Sequence, residues 1–178
     1  MKHEVIVAGF GGQGVLLLGQ VLAYAGMVEG KEVSWLPSYG PEMRGGTANC
    51  TVVLSDTEIG SPVVSQPSCV IALNLPSMEK FEPMLKPGGR LIINTSLIDK
   101  KAERADIEVV EVPATEIANE LGSGRVANMV ALGAFVQQTK AVDFTTLEEA
   151  LKKVLPQRRH ELIPLNLQAI QRGAEETK

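Results

Sequence analysis

Cysteine and histidine are scarce in this sequence, which has two of each among 178 residues. A cubane iron–sulfur cluster needs four thiolates and a structural zinc site needs about four ligands, so we expect no metal site in this chain. Cys50 and Cys69 form no C-x-x-C motif, which excludes thioredoxin-type chemistry. We predict both as small buried hydrophobic residues in a reducing compartment. His3 and His160 lie near the ends of the sequence and are expected on the surface, so no Ser/His pair indicates a hydrolase.

Aromatic residues and excess positive charge are also lacking. Aromatics make up 4% of the chain, and 17 Lys and Arg against 21 Asp and Glu give a net charge of −4. Nucleic-acid binding requires a basic surface, and single strands also require aromatic stacking platforms. We therefore expect no nucleic-acid partner.

Long hydrophobic runs are absent as well. No segment approaches the roughly 20 apolar residues of a membrane-spanning helix. The first apolar run, residues 5–8, is too short for a signal peptide and meets a glycine cluster. The sequence thus predicts a cytoplasmic protein without a membrane partner.

What is present is the pattern of one α/β domain, residues 1–178. Hydrophobic residues make up 44% and charged residues 21%, an ordinary globular composition. Short β-branched runs alternate with apolar helical segments, which is typical of a mostly parallel sheet. Strands are predicted at 5–8, 32–36, 48–55, 69–74, 90–94 and 107–112, with an extended piece at 59–64 that forms an antiparallel hairpin with 48–55. Helices are predicted at 13–29, 77–85, 115–121, 125–139, 145–155, where residues 145–148 fit a capping box, and 164–176.

A glycine motif stands between the first strand and the first helix. Gly9, Gly11 and Gly14 match G-x-G-x-x-G, a pattern that brings backbone amides and a helix N-terminus to a phosphate. Dinucleotide binding also needs an acidic residue at the end of the second strand. Residues 35–38 contain neither an acid nor an arginine, which disfavours nicotinamide and flavin cofactors. Two interpretations remain: a loop kept for packing or for contact with another chain, and a site for another phosphate-bearing ligand.

A second glycine-rich segment, residues 38–46, contains Glu42 and Arg44 two positions apart. Its prolines and glycines exclude helix and strand. Long glycine-rich loops in compact domains are often binding loops, although a solvated surface loop explains the composition equally well.

Together the two motifs resemble those of the gamma subunit of 2-oxoacid:ferredoxin oxidoreductases of the pyruvate, 2-oxoglutarate and ketoisovalerate type. Segments 53–62 and 125–133 agree with this resemblance. It implies a Rossmann-like, mostly parallel α/β sheet with flanking helices and an antiparallel hairpin insertion. It also implies a complex that decarboxylates a 2-oxoacid on thiamine diphosphate, reduces ferredoxin through iron–sulfur clusters and transfers the acyl group to coenzyme A.

The resemblance further implies a division of labour among subunits. Thiamine diphosphate, Mg²⁺ and iron–sulfur clusters would belong to thiamine-binding alpha and beta subunits and to a ferredoxin-like subunit, with coenzyme A as a shared ligand. This chain lacks the Gly-Asp-Gly segment of thiamine sites, so it would supply no catalytic residue and be inactive alone. The short chain is more similar to the 2-oxoglutarate type than to the indolepyruvate type, and a homodimer of the isolated chain is left open.

The resemblance also assigns roles to individual residues. The amides of the first loop would face a phosphate of coenzyme A, and Arg44 would donate bidentate hydrogen bonds to a phosphate or carboxylate. Tyr39 and Glu42 would order the second loop or contact a partner, and Asn128 would add a polar contact. The predicted binding residues are Gly9, Gly11, Gly12, Gln13, Gly14, Ser38, Tyr39, Gly40, Glu42, Arg44, Gly45, Gly46 and Asn128. The alternative is a nucleotide-binding regulatory or sensor domain that acts without a catalytic partner.

Overall fold

The computed structural model describes residues 1–38 and 47–178. Within them the strands are β1 (Lys2–Phe10), β2 (Glu32–Pro37), β3 (Thr47–Ser55), β4 (Cys69–Ala72), β5 (Arg90–Asn94) and β6 (Glu108–Val112). The α-helices are α1 (Val15–Val28), α2 (Leu75–Phe81), α3 (Ala114–Glu120), α4 (Ala127–Thr139), α5 (Phe144–Val154) and α6 (Ile163–Glu176), with 3-10 turns at Glu82–Met84, Gly124–Val126 and Gln157–Leu162.

The six strands form one mixed sheet in the order β2-β3-β1-β4-β5-β6. β1, β4, β5 and β6 run parallel, whereas β3 is antiparallel to both β1 and β2. This confirms the predicted α/β class with an antiparallel hairpin. The predicted hairpin partner was wrong: residues 59–64 form no strand, because both edges of β3 are already paired with β1 and β2.

Apolar side chains cover both faces of the central strand β1, as its continuous β-branched run predicted. Val5 and Val7 face a large core that includes side chains of α1, α3, α4, α5 and α6. Ile6 and Ala8 face a smaller core against α2. One face of the sheet is therefore covered by five of the described helices and the other by α2. On the first face, α1 lies between the sheet and other helices.

The start of α5 differs from the predicted capping box. The N-cap is Asp143, two residues before Thr145, and its side chain makes no capping hydrogen bond. Glu29 at the end of α1 takes this role instead: its Oε2 accepts hydrogen bonds from the Asp143 amide at 2.7 Å and from the Thr146 hydroxyl at 2.6 Å. Burial opposes the charge of Glu29, but these bonds and one from Lys31 hold its pKa below the usual value. A tertiary contact thus replaced the local cap.

Both cysteines are buried free thiols, as predicted. Burial raises the pKa of Cys50 and of Cys69 to about 12. A thiol with so high a pKa carries almost no thiolate near neutral pH. Neither cysteine is therefore a candidate nucleophile.

The two histidines are partly exposed and partly buried. His3 packs edge-on against Phe135, with ring centroids 6.4 Å apart, and His160 Nε2 lies 3.0 Å from the Leu155 carbonyl oxygen. Burial lowers the pKa of His3, and the positive charges of the N-terminal amine, Lys31, Arg90 and Lys86 lower it further.

His3 should make the protein less stable in mild acid. Because its folded-state pKa lies below 6.5, the ordinary pKa of a histidine side chain, the unfolded chain binds this proton more readily. Stability therefore falls as the pH drops from above 6.5 through the folded-state pKa. We expect His3→Gln to flatten this dependence in urea unfolding curves measured from pH 8 to pH 5. His160→Gln is the control for loss of an imidazole. Parallel pH profiles for wild type and His3→Gln would contradict the prediction.

Candidate functional site

The carboxyl ends of β1, β4 and β5 form the edge of the sheet at which the glycine motif lies. After β1 the chain continues through α1 to β2, which lies on one side of β1 in the sheet. The neighbour of β1 on the opposite side is the parallel strand β4. β1 and β4 therefore flank a topological switch point, the place where open α/β sheets bind ligands. The predicted glycine loop occupies this position.

Gln13 holds the glycine loop from inside. Its backbone N–H donates to the Phe10 carbonyl at 3.1 Å, and its Oε1 accepts from the Phe10 N–H at 2.6 Å. Its Nε2 donates to the Leu73 carbonyl at the end of β4, at 3.4 Å. The side-chain carboxamide of Gln13 thus ties the loop to itself through Oε1 and to the sheet through Nε2. The backbone N–H of Gln13 is already bonded within the loop.

Gly9 and Gly14 are required by close packing. Gly9 is still part of β1, and a Cβ there would lie 2.6 Å from Gln13 Oε1. Gly14 has a φ of +73°, and a Cβ there would overlap the carboxamide of Asn128. That carboxamide is 2% exposed, and its Nδ2 donates to the Gly14 carbonyl at 3.1 Å. Asn128 therefore lies at the predicted site, where it fixes the beginning of α1.

Gly11 and Gly12 form the open part of the loop. Both are exposed, and a Cβ at either position would meet nothing within 4 Å. Neither amide donates a hydrogen bond to any described residue. α1 follows with no acidic residue in its first turn and no side-chain cap, so its positive end adjoins these amides. Two free amides beside a helix N-terminus fit an anion such as a phosphate.

A cavity of about 250 Å³ lies beside the loop and includes residues that the sequence analysis missed. Asn94 ends β5, and its Nδ2 donates to the Leu73 carbonyl at 3.3 Å and to Thr115 Oγ1 at 2.9 Å. Arg125 reaches the same cavity from a 3-10 turn. Asn94 follows an apolar strand, which is a signal for the carboxyl edge. No comparable pattern in the neighbouring sequence places Arg125 at this cavity.

Ser38, the first residue of the second glycine-rich segment, and Thr47, which follows its last residue, lie at this same edge. The Ser38 N–H donates to the Asn49 carbonyl at 3.0 Å, and the backbone of Thr47 pairs with Phe10. The remaining predicted residues of this segment lie outside the described residues and stay predictions: Tyr39, Gly40, Glu42, Arg44, Gly45 and Gly46.

No three His, Cys, Asp or Glu side chains in ranges 1–38 and 47–178 are grouped so that they could hold a metal ion. In the same ranges, no helix has the length and apolarity needed to span a membrane.

Comparison with known proteins decides the family. Residues 4–176 match the model of the pyruvate ferredoxin/flavodoxin oxidoreductase family. The chain belongs to this family. The resemblance inferred from the two glycine motifs is thereby confirmed.

Curated relatives within this oxidoreductase family carry two different substrate names. The chain is 38% identical over 173 residues to ketoisovalerate oxidoreductase subunit VorA of Methanothermobacter marburgensis, a match that covers 97% of this chain and 36% of VorA. It is 37% identical over 182 residues to 2-oxoglutarate synthase subunit KorC of the same organism, a match that covers 98% of this chain and 96% of KorC. The chain therefore spans a minor part of one relative and nearly all of the other.

Solved structures of the oxidoreductase family share the fold. The gamma subunit of a keto/oxoacid ferredoxin oxidoreductase from Geobacter sulfurreducens PCA superposes with a TM-score of 0.86 at 31% identity, covering 99% of this chain and 96% of that one. The 2-oxoglutarate:ferredoxin oxidoreductase of Magnetococcus marinus, solved with 2-oxoglutarate, coenzyme A and succinyl-CoA bound, gives 0.87 at 26% identity, covering 98% of this chain and 31% of that one. The gamma-subunit architecture is thus confirmed.

Proposed function

We propose that this chain is the gamma subunit of a thiamine-diphosphate-dependent 2-oxoacid:ferredoxin oxidoreductase. The complex would oxidatively decarboxylate a 2-oxoacid to an acyl-CoA and pass the electrons to ferredoxin. The correspondence with KorC and with the Geobacter gamma subunit over almost their whole lengths supports this assignment. Alpha and beta subunits would hold thiamine diphosphate and Mg²⁺, and a ferredoxin-like subunit would hold the iron–sulfur clusters.

The single observation that carries the site assignment is the pair of amides at Gly11 and Gly12, which donate to no described residue and lie beside the N-terminus of α1. Coenzyme A carries phosphates that such amides can bind, and its thiol accepts the acyl group. Gln13 and Asn128 would position this loop, since both hold it through hydrogen bonds. Arg44 is proposed to donate hydrogen bonds to a second phosphate or carboxylate. Its segment lies between Ser38 and Thr47, which are both at this edge of the sheet. Tyr39 and Glu42 would order that segment or contact the neighbouring subunit.

Within such a complex this chain would supply no reacting group. Its contribution would be to assemble with the thiamine-binding subunits, to orient coenzyme A and to keep water from the intermediates. We therefore propose that the isolated chain is inactive and binds coenzyme A weakly, because the rest of the site belongs to its partners.

For the substrate we propose 2-oxoglutarate. The relatives named 2-oxoglutarate synthase subunit KorC correspond to this chain over 95–96% of their own lengths in three species. The ketoisovalerate relatives contain the same domain as 36% of a longer chain. Domain arrangement favours the KorC type over the VorA type only, since the pyruvate/ketoisovalerate common gamma subunit of Thermococcus litoralis also corresponds to this chain over 84% of its own length. The assay across oxoacids therefore decides the substrate.

The test is to purify the complex and to assay dye reduction with 2-oxoglutarate, pyruvate, indolepyruvate and 2-oxoisovalerate, each with and without coenzyme A. We expect the highest kcat/KM with 2-oxoglutarate, and loss of activity in a complex assembled without this chain. Full activity without the chain would overturn the proposal, whereas preference for another oxoacid would overturn only the substrate. Tight binding of ATP or NAD to the isolated chain in calorimetry would instead support the regulatory alternative.

A further inference from the structure

We propose that this chain has a second binding site, for a small organic carboxylate, in a cavity of about 230 Å³ between α1, α6 and two 3-10 turns. Arg125 contributes to its wall from the turn Gly124–Val126, and Arg159 from the turn Gln157–Leu162. The site excludes the exposed amides of the glycine loop and does not depend on the proposed function. Arg125 also lines the cavity beside that loop, whereas Arg159 lines this one alone.

The two arginines lack partners within the described part of the chain. Three other arginines there form ion pairs: Arg90 with Glu108, Arg104 with Asp106 and Arg172 with Glu120. Arg125 and Arg159 form no ion pair or hydrogen bond to a described residue, and both are exposed. Guanidinium groups present donors that match a carboxylate bidentately. Two unpaired guanidinium side chains at one cavity therefore favour an anionic ligand.

The helices around this cavity add positive potential. α4 and α6 both begin there, since Asn128 and Asn166 in their first turns line it. Neither helix has an acidic residue in its first turn or a side-chain cap, so their positive ends are not neutralised locally. No aspartate or glutamate is among the residues that line the cavity.

Asn166 has hydrogen-bonding capacity that the described residues do not use. It is 7% exposed, and its Nδ2 donates to the Leu162 carbonyl at 2.8 Å. Its Oδ1 accepts no hydrogen bond from any described residue. A carboxylate has no proton for this acceptor, so the group of Asn166 that suits it is the second N–H of Nδ2, which donates to no described residue.

The size and lining of the cavity select the ligand class. Its volume lies below the roughly 300–1,000 Å³ of pockets for drug-sized ligands, so it fits a molecule of a few carbons rather than a nucleotide. Leu17, Leu155 and Leu165 form an apolar part of the wall. An organic carboxylate buries its carbon atoms against such a wall, whereas inorganic phosphate has none to bury.

The site can be tested by measuring the binding of succinate to the full chain. We expect succinate to raise the melting temperature of the protein and to show binding in calorimetry. Potassium chloride at equal ionic strength is the control and should do neither. Arg159→Ala should weaken succinate binding at least about tenfold, as expected for a lost charge-assisted contact. Arg125→Ala should do the same. Arg158→Ala is the matched control, because Arg158 is also exposed and unpaired within the described residues but does not line the cavity.

Three results would overturn the site. The first is no succinate effect beyond that of potassium chloride. The second is equal weakening by Arg158→Ala and Arg159→Ala, which would indicate general attraction by surface charge. The third is inorganic phosphate binding as tightly as succinate, which would refute the organic carboxylate. None of these results bears on assembly with partner subunits, so failure here is distinguishable from failure of the proposed function.

Discussion

Gly133→Ala is expected to destabilise the fold by about 3 kcal/mol, the upper part of the range for overpacked cores. α4 and α6 cross in direct backbone contact at two glycines. A Cβ at Gly133 would overlap the Ile170 carbonyl, and one at Gly173 would overlap the Val130 carbonyl. A backbone carbonyl cannot rotate away as a side chain does, so the helices must move apart. The better helix propensity of alanine, about 1 kcal/mol, offsets only part of this cost.

Urea unfolding of single and double variants tests this packing. If Gly133→Ala and Gly173→Ala separate the same two helices, the double variant should lose less stability than the sum of the single losses. Gly60→Ala is the control, since a Cβ there meets nothing within 4 Å and should change stability by less than about 0.5 kcal/mol. A wild-type unfolding curve for Gly133→Ala would show that the crossing is looser than described.

Gly11→Asp is expected to raise the KM for coenzyme A on the order of 100-fold in the assembled complex, since opposed like charges cost several kcal/mol. The position tolerates a side chain, because a Cβ there meets nothing within 4 Å. The added carboxylate would stand beside the amides proposed to bind phosphate and would repel it. The KM for the oxoacid should change far less.

Gly11→Asn is the control that separates the effect of the aspartate charge from the effect of its size. Asparagine has nearly the shape of aspartate, so a much smaller rise in the KM for coenzyme A is expected. Equal effects of the two substitutions would exclude an anion at the loop. Loss of subunit assembly in both variants would favour the other interpretation of the motif, a loop that contacts a neighbouring chain.

Local patterns in the sequence predicted most elements because each depends on neighbouring residues. The apolar run at residues 5–8 predicted a strand covered on both faces, and Val5 and Ile6 do face opposite cores. The errors occurred where a distant partner replaced a local one. Asp143 begins α5 because Glu29 accepts hydrogen bonds there. Residues 59–64 form no strand with β3, because β2 and β1 already flank it.

The sequence by itself determined the α/β class, the two buried cysteines, the position of the glycine loop and the family. These follow from periodicity, composition and contiguous motifs. Only the tertiary structure decided the strand order, the contact between Asn128 and Gly14 across 114 positions, and the meeting of Arg125 with Arg159 at one cavity. The physical reason is that such contacts form between segments brought together by packing, and the pattern of either segment alone does not specify its partner.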